Sequence, residues 1–213
     1  MDKTPTFDGL NLADKSFDGV SFDGYSFEAA TLQGCKFIRC TFKNARMTEC
    51  RTHSCLFEDC DFHGASLGGS NHEATSFLNC RFGQGGMFGM VFRDCKLVGS
   101  AFETAQLAGL GITIIGGDWS YTNLRRLVLK GLDLHRVKFV EADLSECSLE
   151  KSDLREADLS RANLTRARLA GADLRGAILE GVDLKNLDLN GVSIDLSLAV
   201  AFARSHGAVV DPA

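Results

Sequence analysis

The side chains in this 213-residue chain that could do chemistry are numerous, and their spacing decides what they are for. Eight cysteines stand at Cys35, Cys40, Cys50, Cys55, Cys60, Cys80, Cys95 and Cys147. Each lies two residues before a position filled mostly by Phe or Leu, in a slot that elsewhere holds Ala, Ser, Thr or Val. A single phase for all eight argues for small buried hydrophobes, not a reactive set. Pairs such as Cys35 and Cys55 are close enough in register that distance alone permits a disulfide. Side chains stacked in parallel point the wrong way for one, and a reducing compartment opposes it. A straight column of thiols also cannot surround a metal tetrahedrally. The five histidines are scattered, and the acids recur with the same period instead of converging on a pocket. No catalytic constellation, metal site or cofactor is expected.

The elements that carry these side chains follow from that period. From Glu141 to Leu184 a large apolar residue returns every five positions: Leu144, Leu149, Leu154, Leu159, Leu164, Leu169, Leu174, Leu179 and Leu184. Two residues before each comes a small one, such as Ala142, Ala157, Ala162 or Ala172. Five fits neither the 3.6 of an amphipathic helix nor the 2 of a strand. It fits a square coil in which each five-residue unit forms one side and four units close a turn. Successive turns then stack at roughly the 4.8 Å inter-strand spacing. The same phase starts at Phe7 and places Phe22, Phe42, Phe62, Phe82 and Phe102 in one column. A neighbouring column holds Phe17, Phe37, Phe57, Phe77 and Leu97. Fixed self-similarity of this kind defines a repeat architecture.

These units resemble the pentapeptide-repeat family, whose consensus appears literally as ADLSE, ADLSR, ANLTR and ADLRG. The resemblance implies an all-β solenoid, a right-handed quadrilateral β-helix, over residues 1–194. A second segment, 195–213, reads as a C-terminal α-helix and tail. After Ile112 the next secure centres are Trp119 and Leu124, so two residues enter the register, and a phase shift is expected near 113–118. From Leu124 the repeat reads without interruption to Leu189 and Ile194. Two central positions break the apolar rule, Thr52 and His72, one turn apart on one face. A polar pair inside the coil is the plainer reading of them; a catalytic or metal-binding His72 is the other. The glycine-rich GQGGMFGM from Gly83 to Met90 keeps the five-residue phase and lacks the Lys-Ser/Thr of a phosphate loop.

The chain end differs in kind. Asp195 suits a helix N-cap, and DLSLAVAFARSHG is apolar nearly all round. One side of such a helix should cover the coil end and another should meet a partner. AVAFARSHG resembles the C-terminus of the MfpA type within the family, which dimerises through this helix. That likeness implies a homodimer with Leu196, Leu198, Ala199, Val200, Phe202 and Ala203 at its interface.

Composition narrows the partners. The net charge of −5 disfavours direct nucleic-acid binding. No apolar run approaches a membrane span, and MDKTPTFDGL carries neither a charged start nor a hydrophobic stretch, so a cytoplasmic protein is expected. The position before each centre is often acidic in the second half. Asp133, Asp153 and Asp173 form a file on one face, Asp143 and Asp183 share another with Asn163 between them, and Asp158 and Asp188 follow the same rule. One reading of them is a solvated face in the family's consensus. The likeness to the MfpA and Qnr types implies instead a rod that mimics duplex DNA, binds DNA gyrase (and, for the Qnr type, topoisomerase IV) and confers fluoroquinolone tolerance. Magnitude tempers that reading. A coil of roughly 45 Å with the chain's net charge carries about one charge per 9 Å, against about one per 1.7 Å in duplex DNA. Mimicry would have to live on an acidic face, with shape contributing much. The alternative is a scaffold that binds another protein; an enzyme is the third and weakest reading.

Overall fold

The computed structural model describes residues 6–103 and 111–211, with the side chain of Glu103 left out. The first five residues of MDKTPTFDGL lie outside the described residues. The chain forms a right-handed quadrilateral β-helix closed by one C-terminal helix.

Each side of the coil is too short for more than three residues in a strand. The strands are β1 (Asn11–Ala13), β2 (Ser16–Asp18), β3 (Thr31–Gln33), β4 (Lys36–Ile38), β5 (Arg51–His53), β6 (Leu56–Glu58), β7 (Asn71–Glu73), β8 (Ser76–Leu78), β9 (Arg81–Gly83), β10 (Val91–Arg93), β11 (Ala101–Glu103) and β12 (Thr113–Ile115). They pair in parallel with the strand one turn away. One face is the six-stranded sheet β1-β3-β5-β7-β10-β12; the next is β2-β4-β6-β8. Single bridges continue the pattern elsewhere, as in Asp143↔Asn163 and Ser148↔Arg168.

The corners explain why five residues suffice. The second residue after each centre takes a left-handed backbone, which turns the chain through the corner. Glycine is the ordinary occupant of that region, yet Asp14, Arg39, Glu49, Asp59, Glu146, Glu156 and Arg166 all adopt it, with φ between 51° and 59°. The ladder on both sides of the corner holds them there, so propensity alone would not have placed a turn at an Arg or a Glu.

The interior is filled, not hollow. Phe37, Phe42, Phe57, Phe62 and Phe82 are fully buried. Their rings stack along the axis at 4.8–5.0 Å, as in Phe37–Phe57, Phe42–Phe62 and Phe62–Phe82, and meet the adjacent column edge-on near 5.5 Å. Both are favourable aromatic geometries. All eight cysteines are buried and free. Seven thiols donate to the carbonyl of a central residue on the preceding turn, for example Cys60 Sγ to Phe37 O at 3.4 Å and Cys80 Sγ to Phe57 O at 3.4 Å. Burial pushes the Cys50 and Cys147 thiols up to about 12 and those of Cys55 and Cys95 up to about 11.

Two expectations about register need correction. The two-residue shift is already complete at Phe92↔Ile114, with Val91 opposite Thr113. It is complete by Thr113, at the start of the expected 113–118. Ile114, not Ile112, is the central residue of that unit. Both isoleucines are apolar, so the sequence alone could not choose between them. The second correction concerns the last turn. A 3-10 turn at Leu184–Asn186 interrupts the repeat where an uninterrupted run to Leu189 was expected. Its Leu184 still points inward, which is why the five-residue pattern reads through it.

Candidate functional site

Each aspartate before a centre first serves its own corner. The carboxylate of Asp133 accepts the N–H of His135 (3.1 Å), Asp143 that of Ser145 (3.0 Å), Asp153 that of Arg155 (3.1 Å), Asp173 that of Arg175 (3.1 Å) and Asp188 that of Asn190 (2.9 Å). Asp158 accepts both the N–H and the hydroxyl of Ser160. These are Asx turns, which Asn forms equally well. Asn123 and Asn163 occupy the same slot and accept the N–H of Arg125 and Thr165. The sequence carried this signal in the interchange of Asp and Asn at one phase.

The file Asp133–Asp153–Asp173 is real: the three residues bridge one another in successive turns. Its charge is largely answered, however. Arg155 chelates Asp153 through Nε (2.8 Å) and Nη2 (2.5 Å), and Arg175 binds Asp173 the same way at 2.9 and 2.6 Å. The Arg155 guanidinium holds the Asp153 carboxyl down to about 2, and Arg175 lowers that of Asp173. Of the three, Asp133 is the one whose carboxylate pairs with no cation among the described residues. Asp143 is bridged to Asn163, whose amide donates to it at 3.1 Å. The ladder on that face stops at Asn163, so Asp183 does not extend it; Asp183 instead flanks the 3-10 turn and accepts from the Asn186 amide at 2.7 Å. Among the described residues, Asp158 and Asp188 carry no ion pair.

A second charged array follows the corners and was not anticipated. Glu146 takes Arg125 (2.5 Å) and Arg126 (2.9 Å); Glu156 takes Arg136 (2.8 Å); Glu141 takes Arg161 (2.8 Å). Residues 20 apart stand one above another, so opposite charges at that spacing pair across turns. Arg126 and then Arg125 hold Glu146 down to about 2. All these pairs are exposed, and each is worth little for stability.

Thr52 and His72 form a buried polar network. The Thr52 hydroxyl bonds His72 Nδ1 at 2.8 Å and the Thr75 hydroxyl at 3.0 Å, while the Ser70 hydroxyl bonds His72 Nε2 at 3.0 Å. Phe92 stacks on the imidazole at 5.2 Å. His72 is 1% exposed, and burial lowers its pKa to about 3, which suits a neutral core residue and not a proton carrier. Among the described residues no group of three or more His, Cys, Asp or Glu is placed to hold a metal. No described helix is long and apolar enough to cross a membrane.

The terminal helix α1 (Leu196–Ser205) is capped by Asp195. Its carboxylate accepts the Leu198 N–H (2.9 Å), the Ser197 hydroxyl (2.6 Å) and the Gly176 N–H of the coil (2.6 Å), and these bonds lower its pKa to about 2. One residue thus starts the helix and ties it to the last complete turn. Leu198 is buried against the protein's own coil, so it serves the end cap and is withdrawn from any partner-facing surface. Leu196 is 80% exposed, whereas Ala199, Val200, Phe202 and Ala203 are half-buried. Phe202 packs on His206 at 4.4 Å.

A filled four-sided solenoid with charged outer faces and one apolar end defines the class of molecule. The chain belongs to the pentapeptide-repeat family: the family's model, described as pentapeptide repeats, matches eight copies across residues 26–64, 111–145, 142–181 and 157–195. The chain is similar to the protein described as "Pentapeptide repeat protein MfpA" of Mycobacterium tuberculosis (strain ATCC 25618 / H37Rv), at 36% identity over 83 residues. That match covers 39% of this chain and 44% of MfpA, less than half of either. Two trypsin-treated variants of QnrB1, described as a plasmid-mediated fluoroquinolone resistance protein, superpose with TM-scores of 0.82 and 0.79 at 22% and 21% identity. They cover 94% and 96% of this chain and 100% of their own. Full-length QnrB1 superposes at 0.67 with 20% identity, over 95% of this chain and 100% of its own. At these identities the likeness to QnrB1 is one of fold.

Proposed function

We propose that this protein is a cytoplasmic homodimer that binds DNA gyrase as a partial mimic of duplex DNA and thereby gives tolerance to fluoroquinolones. The observation that carries the reading is the sequence similarity to MfpA, on a coil that stacks carboxylates in successive turns. Shape does much of the work, because Arg155 and Arg175 answer two carboxylates of the Asp file. Asp133, Asp143, Asp158, Asp183 and Asp188 supply the unanswered charge. Those ion pairs are also what favours the second reading, a scaffold for another protein partner.

The test is inhibition of gyrase supercoiling by the purified protein. Asn keeps the Asx turn while removing the charge, so the Asp133→Asn, Asp143→Asn, Asp158→Asn triple variant isolates electrostatics from fold. It should fold normally and inhibit at least about tenfold less well, since charge complementarity acts mainly on encounter and specificity. Unchanged inhibition would remove these carboxylates from the mechanism. No effect of the wild-type protein on gyrase would leave the scaffold reading in its place.

A further inference from the structure

The interruption at Leu184–Asn186 leaves a piece of the β-ladder open. In the turns before it, the face through Asn123, Asp143 and Asn163 is fully paired. Leu124 N–H donates to Asp143 O (2.9 Å), Arg126 N–H to Ser145 O (3.0 Å), Leu144 N–H to Asn163 O (2.9 Å) and Glu146 N–H to Thr165 O (2.9 Å). Asn163 N–H returns a bond to Ala142 O at 2.9 Å. One turn on, these bonds cease. Among the described residues, the N–H groups of Leu164 and Arg166 and the carbonyl of Ala162 have no backbone partner. The coil re-forms only at Leu174 N–H to Ser193 O (2.8 Å). Between the two levels lies a cleft of about 260 Å³, walled by Ala162, Leu164 and Arg166 on one side and by Asp183 and Leu187 on the other.

The three open groups have the order and two-residue spacing of a strand edge, which another backbone satisfies best. Charge adds a second requirement. Down this corner the column reads Arg126, Glu146, Arg166, and an acid on the next level would complete the alternation; the chain has Asn186 there. Glu146 is already held by Arg125 and Arg126. Among the described residues, the Arg166 guanidinium pairs with no carboxylate. Asp183, on the far wall, is occupied by the Asn186 amide.

We propose that this cleft is a β-augmentation site that takes an extended segment of a partner protein, pairing with residues 162–166 and placing an Asp or Glu against Arg166. Main-chain bonds supply the affinity in this mode and side-chain pockets the selectivity. The site lies apart from the Asp133–Asp153–Asp173 file, and it shares Asp183 with the acidic face.

The probe is an acetylated, amidated Thr-Val-Glu-Val-Thr-Val peptide, with a Lys-for-Glu peptide as control, added to the ¹⁵N-labelled full-length protein. Without peptide, the amides of Leu164 and Arg166 should exchange at least about tenfold faster than those of Leu144 and Glu146, because open N–H groups lack protection. The Glu peptide should slow both by about tenfold or more and should bind at least about fivefold tighter than the Lys peptide. Arg166→Glu should reverse that preference. The variant is expected to fold, since Glu146 and Glu156 take the same left-handed corner conformation, at φ 59° and 56°. Slow exchange at Leu164 and Arg166 in the free protein would overturn the proposal, because residues 182–190 would then close the ladder themselves. Protection that rises with protein concentration alone would make the occupant a second copy and overturn it too. So would equal binding of the two peptides.

Discussion

His72 shows what a buried polar residue costs and when. It is neutral in the fold, with a pKa lowered by burial to about 3 from its ordinary 6.5. Between those values the unfolded chain binds the extra proton, so stability rises with pH across that window. The contribution is complete above about 6.5 and is lost as pH falls toward 3, at up to about 1.4 kcal/mol per pH unit. The wild-type denaturation midpoint should therefore fall between pH 7 and pH 5. A Thr52→Val, His72→Phe double variant should show a markedly flatter profile; identical slopes would mean that His72 reaches solvent. Phe62, with rings above and below at 4.9 and 5.0 Å, tests the column itself. Phe62→Ala should cost about 3–5 kcal/mol by chemical denaturation, as for core Phe elsewhere. A cost below about 1 kcal/mol would show the column to be loosely packed.

At the scale of elements, ladder and corner support each other. A three-residue strand is far below the length that is stable alone, so each side of the coil exists through its neighbours one turn away. The terminal helix is held by a similar economy, since Asp195 both caps α1 and accepts the Gly176 N–H. Asp195→Ala should cost about 1 kcal/mol or somewhat more, the usual loss of an N-cap. Because bonding lowers the Asp195 pKa, its contribution is present above the unfolded carboxylate value and is lost as pH falls through the folded one. Amide exchange in Leu198–Ala203 should quicken in the variant while the Phe22–Phe82 region is unchanged. Equal quickening in both regions would show that the helix is not a separable cap.

For the whole molecule, the proposed dimer rests on the exposed surface of the terminal helix. Leu196 projects at 80% exposure beside half-buried Val200. A two-fold partner covering that face would give a rod of roughly 90–100 Å from two coils of about 45 Å. Leu196→Glu should convert dimer to monomer in light scattering and leave the coil's thermal transition in place. Leu198→Glu should instead unfold the coil end, because Leu198 is buried against it. A wild-type protein that is monomeric at micromolar concentration would refute the dimer and would leave gyrase inhibition to a single coil.

The period of five, its inward Phe and Leu and its small second residue were legible without coordinates, because each unit repeats one local rule. The coil, the inert cysteines and the polar pair inside it follow from that rule, and the Asp195 cap was read separately from a capping residue before an apolar run. Register at the seam was not legible: Ile112 and Ile114 are equally apolar, and pairing with Phe92 chose between them. The break at Leu184–Asn186 was hidden for the same reason, since Leu184 keeps its inward place while its backbone leaves the ladder. The acidic file could be listed from the sequence, but the neutralisation of Asp153 and Asp173 could not. That depended on Arg155 and Arg175 folding back at the corner onto the carboxylates two residues earlier. Periodicity determines which residues face in; only the stacked structure decides which charges and which backbone groups are left unanswered.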